Sequence, residues 1–183
     1  MTSYDKQRLV EIVLYILNKT NGLDYYHLFK VIYFANLNHL AKYGFPMVKD
    51  EFYALPDGPV PTKLYDCVKK KRSYSDKELS SMLEGCVEKG NEDADYMMEA
   101  KRQPDMDYLS QADIEMLNLS IEENAHMPYT ALKEKSHGNE WNRAFYGNNP
   151  KKMTIIGMAK DSNVSPEMLK YIIDNNQIEK SLA

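Results

Sequence analysis

The feature that most constrains this chain is the segment from Asp24 to Tyr43, whose pattern is that of a helix with apolar side chains on nearly every side. Asp24 suits the N-cap, because its carboxylate can accept the free N–H groups of the first turn, and Gly44 suits a left-handed C-cap. Such helices are usually buried, and Lys30 and Asn36 make this one too polar to span a membrane. We therefore predict a mainly α-helical, multi-helix domain around a central buried helix, with a minor two- or three-stranded β element.

A stiff connector follows the central helix and reaches Asp66. Its rigid turn positions are Pro56, Gly58, Pro59 and Pro61. Phe52–Leu55 is short and aromatic, which favours a brief strand. Gly58 lies between prolines where the chain must reverse, so we expect a positive φ there, and Pro61 suits the first position of a helix that begins near Thr62.

This part of the chain resembles the Panacea domain of SocA-like antitoxins and phage-associated GepA-like proteins. The residues that carry the resemblance are Tyr33-Phe34, His39-Leu40, Tyr43-Gly44, Pro46, Asp50, Phe52, Ala54-Leu55-Pro56, Gly58-Pro59-Val60-Pro61 and Leu64-Tyr65-Asp66. A second, weaker group is Leu109-Ser110, Asp113, Ser136-His137 and Trp141. Together the two groups cover roughly Leu9 to Phe145.

The resemblance implies a mostly helical, non-enzymatic protein that acts through protein partners. It implies an antitoxin that binds and neutralises a partner toxin, either directly or as an adaptor that delivers the toxin to a protease complex. It implies no catalytic residue, no metal and no cofactor. The positions expected to be structural are Asp24, Tyr33, His39, Gly44, Pro56, Gly58, Pro59, Pro61, His137 and Trp141.

Charge is distributed unevenly along the 183 residues, whose net charge is −4. Between residues 76 and 124 there are 4 Lys or Arg against 14 Asp or Glu. This acidic segment disfavours a nucleic-acid interface there, because phosphate repels it. Either it is a solvated acidic surface, or it steers a basic protein partner. The two cysteines lack metal or redox spacing and no signal peptide is seen, so we expect a cytoplasmic protein with no membrane association.

The length predicts one helical domain over 1–150 and a helical C-terminal appendage over 151–183 that packs on it. Further elements follow from apolar spacing and from capping residues. They are a helix over 4–19, a helix over Thr62–Arg72, a helix from the Ser75–Glu78 capping box to Leu83, a surface loop over Gly85–Asp95, a strand over Tyr96–Arg102 paired with Phe52–Leu55, a helix from the Ser110 cap to Asn124, and a helix over Tyr129–His137 closed by Gly138.

The C-terminal segment Met153–Lys180 has the spacing of a helix-turn-helix unit, with Ser165 as a cap and Pro166 at the first position of the second helix. A DNA-binding regulator is therefore an alternative function. The second helix carries little positive charge, however, which favours two packed helices over a DNA-reading unit.

A hydrolase is a further, weaker alternative. Cys86 with His126 or His137 is a conceivable nucleophile and base, but nothing in the local sequence supports this pairing. The four histidines form no H-x-x-x-H pair and have no zinc spacing to a cysteine. His39, beside Leu40 on the central helix, is expected to have a hydrogen-bonded structural role.

Tyrosine is abundant, with 14 residues beside 5 phenylalanines and 1 tryptophan. Tyrosine is enriched at interface hot spots, because one end of its side chain is apolar and the other is wet. The residues predicted to bind the partner, as an aromatic centre with a basic rim, are Tyr53, Asp57, Tyr65, Lys70, Lys71 and Arg72. The alternative is that these tyrosines only seal the connector onto the central helix.

Overall fold

The computed structural model describes residues 1–69, 75–90, 97–147 and 151–182. The α-helices in these ranges are α1 (Ser3–Thr20), α2 (Tyr25–Tyr43), α3 (Thr62–Val68), α4 (Lys77–Cys86), α5 (Gln111–Asn124), α6 (Tyr129–Ser136), α7 (Asn139–Tyr146), α8 (Ile155–Asp161) and α9 (Pro166–Leu182). The strands are β1 (Leu23–Asp24), β2 (Phe52–Leu55), β3 (Gly58–Pro61), β4 (Val87–Lys89) and β5 (Met97–Ala100). The predicted mainly α-helical fold with a minor β element is confirmed.

Helix α2 lies at the centre of the fold, as its apolar pattern predicts. Twelve of its 19 residues are buried, so it is enclosed on nearly all sides. Helices α1, α5 and α8 and strand β3 pack around it. Both predicted caps are confirmed: Asp24 accepts a hydrogen bond from the His27 backbone N–H over 3.0 Å, and Gly44 closes the helix with φ 78°.

Strands β2 and β3 form an antiparallel hairpin around the Pro56–Asp57 turn, with Phe52 opposite Pro61. The expectation that β2 pairs with a strand over Tyr96–Arg102 is wrong. The partner of β2 is only three residues further along the chain, because the turn reverses it directly. Gly58 has φ 98°, which confirms the positive φ expected there.

A second sheet has the strand order β1-β5-β4, all antiparallel. Strand β5 (Met97–Ala100) lies within the predicted strand, but its partners are the two-residue link between α1 and α2 and the strand that follows α4. The loop predicted over Gly85–Asp95 is therefore wrong at its beginning, since α4 extends to Cys86 and β4 follows. Residues 91–96 lie outside the described ranges.

Three helix ends differ from the predictions. Helix α3 ends at Val68, with Lys69 in a turn, and Pro61 is its N-cap residue rather than its first residue. Asp76 rather than Ser75 caps α4, because the Asp76 carboxylate accepts from two backbone N–H groups at 3.1 Å. Gly138 is the N-cap of α7 with φ −69°, so it opens a helix instead of closing α6.

An ion pair between a buried glutamate and an exposed arginine ties α1 to the segment after β5. The Glu11 side chain is fully buried, and its oxygens accept two hydrogen bonds from Arg102 at 2.7 and 2.8 Å and one from the Asp105 backbone at 2.7 Å. Burial alone raises the pKa of Glu11, but the Arg102 guanidinium and the Asp105 N–H outweigh it and hold the pKa below its ordinary value. The Glu11 carboxylate is thus kept charged inside the fold.

Helix α8 contacts helices from the earlier part of the chain, and α9 packs on α8. Ser165 caps α9 through a 3.1 Å hydrogen bond from Met168 N–H, as predicted, and α8 packs against α2 and α7. Residues 151–153 add to the hairpin edge, because Ala54 N–H donates to Lys151 over 2.7 Å and Met153 N–H donates to Phe52 over 2.9 Å. The domain boundary near residue 150 stays a prediction. Within the described ranges, no helix has the length and apolar character that a membrane span requires.

Candidate partner-binding surface

The hairpin turn is held close to the rest of the fold at Gly58. A Cβ atom at this position would lie 2.8 Å from Cε of Lys30 and would also overlap the Ser136 hydroxyl. The positive φ and this close approach together explain why glycine is required. The hairpin turn therefore packs closely against α2 and α6 at Gly58.

Lys30 lies directly behind the turn and is only 1% exposed. Its ammonium group donates to the Pro59 carbonyl oxygen over 3.0 Å and lies 4.6 Å from the centre of the Tyr26 ring. Burial lowers the pKa of Lys30 to about 7, although Asp57 nearby acts in the opposite direction. The hairpin is thus attached to the central helix by a lysine that is close to losing its charge at neutral pH.

Asp57, at the tip of the turn, is exposed and bonded to α6. Its carboxylate accepts a hydrogen bond from Lys133 over 2.8 Å. The hydrogen bonds from Lys133 and Tyr129 lower the pKa of Asp57 below its ordinary value. The turn is therefore fixed from outside by this pair and from inside by Lys30.

Four tyrosines near the N-terminal end of α2 form what we call the tyrosine surface: Tyr25, Tyr26, Tyr65 and Tyr129. Tyr129 is 45% exposed, its ring centre lies 4.4 Å from that of Tyr26, and the other three are half-buried. The buried ring of Phe29 lies between Tyr25 and Tyr65. Its centre is 5.8 Å from the centre of the Tyr25 ring and 5.9 Å from that of the Tyr65 ring.

Lysines border the tyrosine surface. Lys69 lies over the Tyr25 ring at 4.0 Å, and Lys133 lies 6.0 Å from the centre of the Tyr129 ring. Residues 70–72 follow Lys69 directly in the sequence and are all basic. The surface thus combines partly exposed aromatic rings with positive charge at its margin.

The residues predicted to bind the partner do not all lie on one surface. Asp57 lies at the tyrosine surface, where it accepts a hydrogen bond from Tyr129. Tyr65 is part of that surface and packs against the Phe29 ring. Tyr53 is half-buried on β2 and its backbone bridges to Lys152, so it belongs to the side of the hairpin that carries the C-terminal segment. Lys70, Lys71 and Arg72 lie outside the described residues.

The residues expected to be structural occupy buried or turn positions. Tyr33 is 1% exposed and packs on Phe52, with 5.6 Å between ring centres. Pro59 and Pro61 are buried in β3, while Pro56 is exposed at the turn. His137 stacks on Trp141 at 3.5 Å, and the Trp141 indole N–H donates to the Leu55 carbonyl over 3.0 Å.

The His39 side chain is buried and makes one hydrogen bond. It is 1% exposed, its Nδ1 lies 2.8 Å from the Phe45 carbonyl oxygen, and its Nε2 lies 3.6 Å from Asp113. Asp113 is bound at 2.6 Å by Arg8, and burial lowers the pKa of His39. This group of side chains joins α1, α2 and α5.

The family model described as antitoxin SocA-like, Panacea domain, matches residues 28–142, which is more than half of the chain. The chain belongs to this SocA-like Panacea family. No curated protein and no solved structure matches it at a significant level. In this Panacea protein the matched segment runs from the first turns of α2 into α7, and it contains Lys30, the hairpin, Tyr65, Tyr129 and Lys133.

The environment of Cys86 in this Panacea protein does not favour nucleophilic chemistry. Its thiol donates to the Met82 carbonyl oxygen over 2.9 Å, and burial raises the pKa of the thiol, which disfavours the reactive thiolate. His137 stacks on Trp141 and His126 is exposed. Among the described residues, no three His, Cys, Asp or Glu side chains are placed to hold a metal ion.

Sequence reasoning missed five contributors to this surface: Tyr25, Tyr26, Lys30, Tyr129 and Lys133. Lys30 had a detectable signal, since a lysine within an otherwise apolar helix requires a buried partner. Tyr129 and Lys133 are more than 70 residues beyond Asp57 in the sequence, and their proximity to Asp57 depends on how α6 packs. No local pattern identifies that contact.

Proposed function

We propose that this Panacea protein is an antitoxin that binds a partner toxin protein and neutralises it without catalysing a reaction. The observation that carries the proposal is the family match over residues 28–142. The protonated, buried thiol of Cys86 supports a binding role over a hydrolytic one.

The tyrosine surface is the docking site that the geometry supports best. Partly buried tyrosines lose little side-chain entropy on binding, and their rings present apolar area. The hairpin turn beside them is fixed by Lys30 and by the Asp57–Lys133 pair, which lowers the ordering cost of association. The basic margin favours a toxin whose contact surface is acidic.

A co-expression experiment tests the function. The candidate toxin is the product of the neighbouring open reading frame, expressed alone and with this protein, with growth and complex formation both measured. We expect growth inhibition by the toxin alone, rescue on co-expression, and a complex that purifies as one species. Rescue without any complex contradicts neutralisation by binding.

A matched pair of variants tests the docking site. Tyr129→Ala removes an exposed ring of the tyrosine surface, whereas Tyr146→Ala removes a ring that is 74% exposed on α7. Loss of an interface hot spot costs about 2 kcal/mol or more, so Tyr129→Ala should weaken the complex by roughly tenfold or more and Tyr146→Ala should not. Equal affinities for the two variants place the interface elsewhere.

The route of neutralisation has two forms, direct inhibition and delivery to a protease complex. The half-life of the toxin in growing cells separates them. Direct inhibition leaves the toxin level unchanged on co-expression, and an adaptor shortens its half-life.

A further inference from the structure

A cavity of about 700 Å³ lies between α2, the segment leading into β2, and the C-terminal helices. Apolar side chains make up most of its wall: Val48, Phe52, Met153, Ile155, Ile156 and Met158. Small-molecule sites in proteins are mostly apolar and have volumes of about 300–1,000 Å³. The cavity therefore has the size and character of a site for a small organic molecule.

One polar group in the wall has an unused hydrogen-bond donor. Asn36 on α2 is fully buried, and its Oδ1 accepts from the Val48 backbone N–H over 3.3 Å. Its Nδ2 has no acceptor within the described part of the chain. Buried donors are nearly always paired in folded proteins, so this amide is placed to bind an acceptor inside the cavity.

The charged groups of the wall do not favour a charged ligand. Each oxygen of the buried Asp50 carboxylate accepts from a backbone N–H group, of Lys63 or of Leu64, at 3.1 Å, and burial still raises the pKa of Asp50 to about 6. Glu51 and Lys152 pair with each other over 2.5 Å, and both side chains are about half exposed. Lys49 is exposed. An anion would be repelled by Asp50 and Glu51, and a cation would lose its hydration to reach oxygens that already accept hydrogen bonds, so an uncharged ligand fits this wall.

The occupant is a small molecule rather than an extended peptide. A peptide that adds to a sheet needs an unpaired strand edge. The edge of β2 beside this cavity is already paired with residues 151–153 through the Ala54–Lys151 and Met153–Phe52 hydrogen bonds.

We propose that this cavity binds a small, uncharged, largely apolar molecule whose carbonyl oxygen accepts a hydrogen bond from Asn36 Nδ2. The site is separate from the tyrosine surface, and the inference does not depend on the proposed antitoxin function. Because α2 and α8 both supply residues of the wall, a bound molecule also contacts both helices.

A fluorescent probe tests the site directly. Prodan is neutral and apolar, carries one ketone, and shifts its emission to shorter wavelength in apolar surroundings. Its propyl analogue, 2-dimethylamino-6-propylnaphthalene, has the same ring system without the ketone. We expect saturable binding of prodan with a blue-shifted emission, and about tenfold weaker binding of the analogue in competition, because the analogue leaves the Asn36 donor unpaired. Absence of saturable prodan binding, or equal affinity for the two compounds, overturns the proposal.

Two variants locate the bound probe. Ile156→Trp fills the cavity with an indole ring, whereas Ile178→Trp places the same ring at a position that is 56% exposed and outside this wall. We expect Ile156→Trp to weaken prodan binding by about tenfold or more and Ile178→Trp to bind like wild type. Unchanged binding by a folded Ile156→Trp variant overturns the assignment to this cavity. The probe pair on wild-type protein decides the matter if Ile156→Trp does not fold.

Discussion

The Lys30 ammonium group donates a hydrogen bond to the carbonyl oxygen of Pro59 over 3.0 Å, in a position with almost no solvent exposure. This contact joins the central helix to the hairpin that carries the most distinctive sequence of the chain. It also leaves little room at Gly58, which precedes Pro59. The geometry of these residues leads to the first two predictions.

Replacing Gly58 should destabilise the fold. Gly58→Val forces a β-branched residue into φ 98° and brings its Cβ against Lys30 and Ser136. Backbone strain of this kind costs roughly 1–3 kcal/mol, and the steric overlap adds to it. Urea denaturation measures the loss in the free energy of unfolding.

Gly85 provides the matched control for that measurement. It lies in α4, and a Cβ there meets no atom within 4 Å. Gly85→Val should change the free energy of unfolding by no more than about 0.5 kcal/mol. Similar losses for both variants would show that the turn geometry does not matter.

Lys30 should make stability depend on pH. Its folded-state pKa of about 7 is below the ordinary value of 10.5, so between these values the unfolded chain binds more protons. The free energy of unfolding should therefore rise with pH from about 7 towards 10.5, by at most about 1.4 kcal/mol per pH unit from this group. Below pH 7 the folded protein bears the full cost of burying the charged Lys30 side chain.

Lys30→Met isolates this contribution, since it keeps much of the volume and removes the titrating group. Denaturation of both proteins at pH 7, 8 and 9 gives the two slopes. We expect a smaller slope for Lys30→Met. Equal slopes of unfolding free energy against pH for the two proteins would mean that Lys30 does not cause the pH dependence.

The Glu11–Arg102 pair, in which the carboxylate is buried and the guanidinium is 42% exposed, should matter more than a pair exposed on both sides. Arg102→Met removes the cationic partner of the buried Glu11 carboxylate, which costs about 1–3 kcal/mol. Lys42→Met breaks the pair with Glu115, in which both side chains are about half exposed, and should cost at most about 1 kcal/mol. Thermal unfolding of the two variants beside wild type compares the costs, and equal shifts in Tm would refute the distinction.

The basic run that follows Lys69 in the sequence should affect the rate of partner association. Changing Lys70, Lys71 and Arg72 together to Glu reverses the charge of this run and leaves the four tyrosines unchanged. Association with the toxin should slow and its salt dependence should weaken or reverse, because charges at the rim act through steering. Surface plasmon resonance at low and high salt measures both. Identical association rates at every salt concentration would exclude this run from the interface.

Cys86→Ala distinguishes binding from nucleophilic catalysis. The variant should keep neutralisation largely intact in the growth assay, because the protonated thiol is not required for binding. Complete loss of neutralisation in a variant with wild-type Tm would revive the hydrolase alternative.

Features set by neighbouring residues could be predicted from the sequence. The Asp24 and Ser110 caps, the Gly44 terminus and the Gly58 turn each depend on groups within a few positions, and all four are confirmed. Strand β5 was predicted with the wrong partner. Its neighbour β1 is a two-residue link between helices, and such a link carries no alternation that a sequence pattern can reveal.

The candidate surface was only partly predictable for a similar reason. Asp57 and Tyr65 were selected because they flank the proline-rich turn, which is a local signal. Tyr129 reaches the same place only through the packing of α6 beside the hairpin, and the cavity wall at Asn36 is completed by residues more than 100 positions later. Proximity over such distances is a property of tertiary packing and not of sequence spacing.

The hairpin also affects how copies of the protein behave at high concentration. A two-stranded ribbon exposes two rows of backbone groups on which other chains can assemble into larger sheets. Here residues 151–153 cover the β2 row, while Pro59 and Pro61 remove two N–H donors from the β3 row and Lys30 occupies the Pro59 carbonyl. The same prolines that stiffen the turn thus protect the folded protein against sheet-mediated aggregation.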